Sequence, residues 1–246
     1  MKPKKFAVFD IDGTLFRWQL FHELVSELLA NGHLPATAKK DIDTTIAAWR
    51  ARAHTHAFAD YEMAIVNAFR PYVAGMKVRD IEEAADKILS RSGKNVYVYT
   101  RSLIDELRSQ GYTLIAISGS QHEIVTRFAD LWKFDIALGQ ISDAVDGTYT
   151  GTIPDGKLVV MQKGILLKKI VTEHGLSWEE SIAVGDSHSD ADMMKLVARP
   201  IAFNPNDELY DEAVKNGWDI VIERKNMIYE LEQKDGTYVL AQANSR

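Results

Sequence analysis

Six short apolar runs, each closing on a small or polar residue, dictate what this chain folds into. Phe6-Ala7-Val8-Phe9 stops at Asp10, and comparable runs recur at 113–118, 134–138, 181–185, 200–203 and 219–222. Such runs are short for helices and apolar on both faces, as strands of a parallel sheet must be when helices cover both sides. Helix-period patterns lie between several of them, at 121–131, 163–174 and 189–197. Strands alternating with helices predict an open, doubly wound, Rossmann-like parallel α/β sheet.

Residues 15–94 follow another rule. Phe21, Leu24, Val25, Leu28 and Leu29 repeat at helical spacing, and Gly-His-Leu-Pro breaks the pattern. It then resumes through Ile46, Trp49, Tyr61, Ile65, Phe69, Ile81 and Ile88 with no strand signal. The spacing predicts an all-helical cap subdomain inserted after the first strand; helices laid along one face of the sheet are the alternative. The expected organisation is an α/β core of residues 1–15 and 95–223, a helical cap of 16–94 and a tail of 224–246. In the tail, 226–233 reads as a helix, and Asp235-Gly236 as a turn before a short strand.

In an open α/β sheet, ligands bind beyond the carboxyl ends of the strands, so the residues that close the runs carry the chemistry. Asp10-Ile11-Asp12-Gly13-Thr14 sets two carboxylates there. Alone, that pair also fits a turn, a helix cap or the metal site of a glycosyltransferase. At Ile117-Ser118-Gly119-Ser120 a strand ends on a hydroxyl and a helix begins near Gln121, which aims Ser118 and main-chain N–H groups at an anion. Ser120 reads as that helix's cap. Lys163 precedes an amphipathic helix and brings an ammonium; it reads equally as a surface charge. Val184-Gly185-Asp186 ends another run, with Asp190 one helical turn later. Magnesium prefers oxygen ligands. Asp10, Asp186 and the Asp12 carbonyl suit it, with Asp190 orienting Asp186 or a bound water.

Composition removes other chemistries. The chain has 246 residues and no cysteine, which excludes disulfides, thiolate zinc sites and cysteine nucleophiles. A net charge of −6 argues against a nucleic-acid partner. No apolar stretch approaches the roughly 18 residues of a membrane span. The apolar run behind the basic start, Met1 to Lys5, is too short for a secretory leader, so a cytoplasmic protein is expected.

Taken in order, Asp10-x-Asp12-Gly13-Thr14, Ser118, Lys163 and Gly185-Asp186-x-x-x-Asp190 resemble the haloacid dehalogenase-like phosphohydrolases. The resemblance implies a Mg2+-dependent phosphomonoester hydrolase acting on a small phosphorylated metabolite. Asp10 would attack phosphorus to form an aspartyl-phosphate, and Asp12 would protonate the leaving alkoxide and then deprotonate water. Ser118, Gly119 and Lys163 would hold the phosphoryl oxygens, and Asp10, Asp12 and Asp186 the metal. A phosphotransferase would use the same residues; a non-catalytic phosphate-binding protein would have no use for the whole set. The helical insert and Gly147-Thr148-Tyr149-Thr150-Gly151 look like the phosphoserine-phosphatase branch. Two departures stand out. Gln19 occupies the place of that branch's Glu, and Met63 or Val66 that of its substrate-gripping Arg, for which Arg70, Arg50 and Arg52 are the available substitutes. Both weaken recognition of a zwitterionic amino acid. Gln19, His22 and His188 are the candidate substrate contacts. Trp18 and Phe21 read as packing residues, and His54 and His56 as exposed loop residues without a carboxylate partner.

Overall fold

The computed structural model describes residues 4–154 and 158–245; the first three residues of the basic start lie outside the described residues. In chain order the elements are β1 (Lys4–Phe9), α1 (Leu20–Ala30), α2 (Ala38–Arg50), α3 (Ala57–Phe69), α4 (Val78–Ser92), α5 (Val98–Ser109), β2 (Thr113–Gln121), α6 (His122–Leu131), β3 (Ile136–Gln140), β4 (Ala144–Val145), β5 (Thr148–Tyr149), α7 (Lys163–Glu173), β6 (Leu176–Gly185), α8 (Ala191–Met194), β7 (Arg199–Phe203), α9 (Asp207–Asn216), β8 (Asp219–Arg224), β9 (Met227–Lys234) and β10 (Thr237–Ser245). Eight strands form one sheet in the order β10-β9-β8-β7-β6-β1-β2-β3, parallel from β3 through β8. The fold is the α/β class the alternation predicts.

Alternation along β1 divides the core in two. Ala7 and Phe9 face one side with Leu114, Ala116 and Val184, while Phe6 and Val8 face the other with Ile115, Ile117 and Ala183. On the first side the cluster runs without a break into Leu20, Leu24 and Leu28 of α1 and Ile81 and Ile88 of α4. The helices at 20–92 therefore share a core with one sheet face as well as packing on each other. An aromatic stack ties α2 and α3 to the start of α1: Trp18 lies 5.2 Å from Trp49, and Trp49 lies 5.8 Å from Tyr61, with the Trp49 and Tyr61 rings nearly parallel. His54, expected without a partner, has its Nε2 3.5 Å from Asp60 Oδ2, both groups well exposed.

The chain leaves the sheet and returns to it side by side. Arg17 N–H donates to Asn95 O and Tyr97 N–H to Leu15 O, both at 2.9 Å, with Phe16 bridged to Val96 between them. The tail corrects the expectation of a helix at 226–233: β9 pairs antiparallel with β8 and β10. Its Met, Glu, Leu and Gln residues suit a helix, but a tight turn and strand pairing decide otherwise. Asp235 and Gly236 both take positive φ, +50° and +77°, the geometry of a two-residue hairpin loop. Asp146 and Gly147 do the same between β4 and β5, at +49° and +69°, so the matching sequences Asp146 to Tyr149 and Asp235 to Tyr238 reflect shared turn chemistry. Among the described residues, no helix is long and apolar enough to cross a membrane.

Candidate active site

Register brings the chemistry together. Phe9 stands opposite Ala116 of β2 and Val184 of β6, so Asp10, Ser118 and Asp186 leave the sheet within two residues of one line. Strand order reverses at β1, and the crevice of an open α/β sheet forms at such a point. There a cavity of about 450 Å³ is lined by Asp10, Asp12, Gly119, Ser120, Lys163 and Asp186 at its base.

Lys163 is not a surface charge. It opens α7, is 2% exposed, and its Nζ lies 2.6 Å from both Asp10 Oδ1 and Asp190 Oδ1. Burial works against its charge, but the two carboxylates outweigh burial and hold the ammonium protonated. Asp190 is fully buried, and its other oxygen, Oδ2, accepts from the N–H groups of Asp186 and Ser187. Ser187 answers with its own side chain on the Asp190 N–H, a reciprocal cap that fixes the turn after β6. Gly185 is needed because a Cβ there would lie 2.5 Å from the Asp190 Cβ.

Asp12 is held by three donors: Ser118 Oγ at 2.6 Å and Ser120 Oγ at 2.7 Å on Oδ2, and the Leu20 N–H on Oδ1. Burial raises its carboxyl above the usual range and these donors oppose the rise. Asp12 can thus hold a proton at a pH where an exposed Asp would not. Ser118, expected on phosphoryl oxygens, is fully buried and engaged with Asp12, whereas Gly119 and Ser120 reach the cavity wall. Ser120 is not the helix cap; Gln121 occupies that position.

Among the described residues, four carboxylates, those of Asp10, Asp12, Asp186 and Asp190, share the base of the site with one ammonium, that of Lys163, which pairs with Asp10 and Asp190. Asp10 and Asp186 are accordingly raised, first by burial; Lys163 opposes the rise and the neighbouring carboxylates reinforce it. Ligand oxygens of Asp10, Asp186 and Asp190 lie within 4.8 Å of one another. Hard oxygen donors with an excess of negative charge fit a divalent cation.

Gly13 is the hinge of this loop. Its φ is +82°, and an added Cβ would sit 2.1 Å from Asp186 Oδ2. Gly13→Ala is therefore expected to displace Asp186, lower turnover about 100-fold and cost roughly 1–3 kcal/mol in backbone strain. Initial rates and urea unfolding of the two proteins would check both.

Gln19 and His22 line the cavity, as do Arg70 and Val66; His188 is exposed and Met63 is 55% exposed, and neither belongs to the wall. Phe21 lines the cavity while packing edge-on against Phe69 at 5.3 Å. The sequence reading missed Ser120 as a partner of Asp12, and Glu62, which faces the cavity from α3. A second hydroxyl two residues after Ser118 was the available signal for the first. Nothing local marks Glu62 on an amphipathic helix.

Residues 7–195 match the family of haloacid dehalogenase-like hydrolases, and the chain belongs to it. Its likenesses run to the phosphoserine-phosphatase branch. Phosphoserine phosphatase of Methanocaldococcus jannaschii is 25% identical over 229 residues, 92% of this chain and 95% of that protein. A substrate-bound phosphoserine phosphatase structure shares the fold at a TM-score of 0.61 and 22% identity, covering 91% of this chain and 95% of that one. A Bordetella pertussis Tohama I protein of unknown function superposes at 0.71 with 20% identity, over 90% of this chain and 99% of that one. The chain spans about half the length of other curated relatives it matches, 50% and 49% in two of them.

Proposed function

We propose that this chain is a Mg2+-dependent phosphomonoester hydrolase working through a phosphoryl group carried on Asp10. The observation that supports it most is the buried Asp10 carboxylate, fixed by Lys163 at the base of a cavity with the hydrogen-bonded Asp12 beside it. The Asp10 oxygen forms a bond to phosphorus as the bond from phosphorus to the ester oxygen breaks, and Asp12 gives its proton to the departing alkoxide. Water then attacks phosphorus and loses a proton to Asp12, the bond from phosphorus to Asp10 breaks, and inorganic phosphate leaves. Ser118 and Ser120 hold the charge of Asp12 in the interval. Lys163 offsets charge gathering on the phosphoryl oxygens, and Gly119 and Ser120 face them from the wall.

Asp10, Asp186 and the main-chain carbonyl of Asp12 would hold the metal, which supplies further positive charge to the substrate phosphate. Asp190, committed to Lys163 and the turn after β6, would act through both. The inserted helices would form a cap that excludes water from the cavity and selects a small phosphorylated substrate. The names of the relatives support a phosphorylated metabolite of that kind.

Phosphate release should fall to background when the protein is treated with EDTA and return on adding excess Mg2+. Full activity after exhaustive chelation would refute the metal assignment. The substrate panel should span phosphoamino acids, sugar phosphates, nucleotides and lipid phosphates.

A further inference from the structure

The end of the cavity facing the cap carries a charge that the phosphate chemistry does not use. Glu62, on α3, lines the same wall as Phe58 and Val66. Among the described residues it makes no ion pair or side-chain hydrogen bond, unlike every carboxylate at the base. Burial pushes its carboxyl up to about 7, and the nearby Asp12 adds to the rise. An acid placed in an apolar wall without a partner is costly unless a ligand supplies the counter-charge.

The other polar groups of this wall narrow the ligand. His22 is 4% exposed and its Nδ1 is buried with no partner; burial lowers its pKa to about 4, so it is neutral near pH 7 and does not compete for Glu62. Gln19, also on the wall, is uncharged. Lys163 is committed to Asp10 and Asp190. Arg70 is exposed and makes no ion pair with Glu62.

Resting on the phosphatase reading above, we propose that Glu62 anchors a protonated amine, so that the substrate class is the phosphate ester of an amino alcohol. The ester phosphate meets Asp10 and Lys163 at the base, the ammonium meets Glu62 towards the cap, and the connecting carbons lie along the apolar wall. A carboxylate paired with an ammonium in the cavity discriminates, because a neutral analogue leaves the half-buried acid unpaired.

The test compares ω-aminoalkyl phosphates with n-alkyl phosphates of matched length, and includes phosphoserine. The wild-type protein should prefer the amine by roughly 30-fold or more in kcat/KM at its best length. In Glu62→Gln that ratio should collapse towards one, chiefly through KM. This isosteric change removes an unpaired, half-buried charge, so its melting temperature should not fall. Wild-type turnover of both series with no preference for the amine would overturn the proposal while leaving the phosphatase reading intact. So would a preference, for aminoalkyl phosphates or for phosphoserine, that survives in Glu62→Gln. No Mg2+-dependent turnover of any ester in the wild-type protein would refute the phosphatase reading itself.

Discussion

Asp10→Asn is expected to cut phosphate release by about four orders of magnitude or more, because the amide cannot form the covalent phosphoryl link. The loss should fall on kcat, since the variant keeps the shape of the site and the wall that binds the rest of the substrate. Stability should hold or rise. Asp10 is a buried acid whose carboxyl is raised by burial and by the charges of Asp190 and Asp12, so a neutral isostere relieves repulsion, and Lys163 keeps Asp190 as a partner at 2.6 Å. Single-turnover assays beside thermal melting separate a lost nucleophile from a lost fold. Wild-type rates in this variant would show that Asp10 is not the nucleophile.

Lys163→Met should do damage of a different kind. It takes the one ammonium from between two buried carboxylates, and breaking a buried pair by removing one partner costs about 3–5 kcal/mol. Turnover should be lost as well, with little charge left to offset the phosphoryl oxygens. The stability loss has a predictable pH dependence. Asp10 and Asp186 already lie above the usual carboxyl range in the folded protein, and without Lys163 they rise further. A group whose folded pKa is raised holds more protons in the folded state, so its contribution falls as pH rises from the unfolded pKa to the folded one. The deficit of the variant should therefore be small near pH 4 and grow towards neutrality and above. Urea unfolding across that range tests this, and a pH-independent deficit would count against it. Adding Asp190→Asn to Lys163→Met should recover part of the loss, a coupling measurable by a double-mutant cycle.

Much of the fold was legible because burial on two faces leaves an unmistakable run, as in Phe6 to Phe9, and because helices then have to cover both sides. The residues that close those runs were legible for the same reason: register carries Asp10, Ser118 and Asp186 to one edge once the strands are known. The tail was not, because Glu230, Leu231 and Glu232 suit a helix by composition, and only pairing with β8 and β10 makes them a strand. Lys163 read equally as a solvated charge, since its partners Asp10 and Asp190 lie 153 and 27 residues away in sequence. Glu62 was invisible for a related reason. Its environment comes from α3 facing the cavity that Asp10, Asp12 and Asp186 also line, and no local spacing encodes that arrangement.

The paired crossings at 15–17 and 95–97 give the helices a strap instead of two separate strings. Laced segments resist shearing and twisting past one another, so the chain's exit from the sheet and its return to it are held as one unit. Leu20, at the start of α1, grips Asp12 through its main-chain N–H. The first turn of α1 and the Asp12 carboxylate are thus tied through a single peptide N–H, so a change at either is felt by the other.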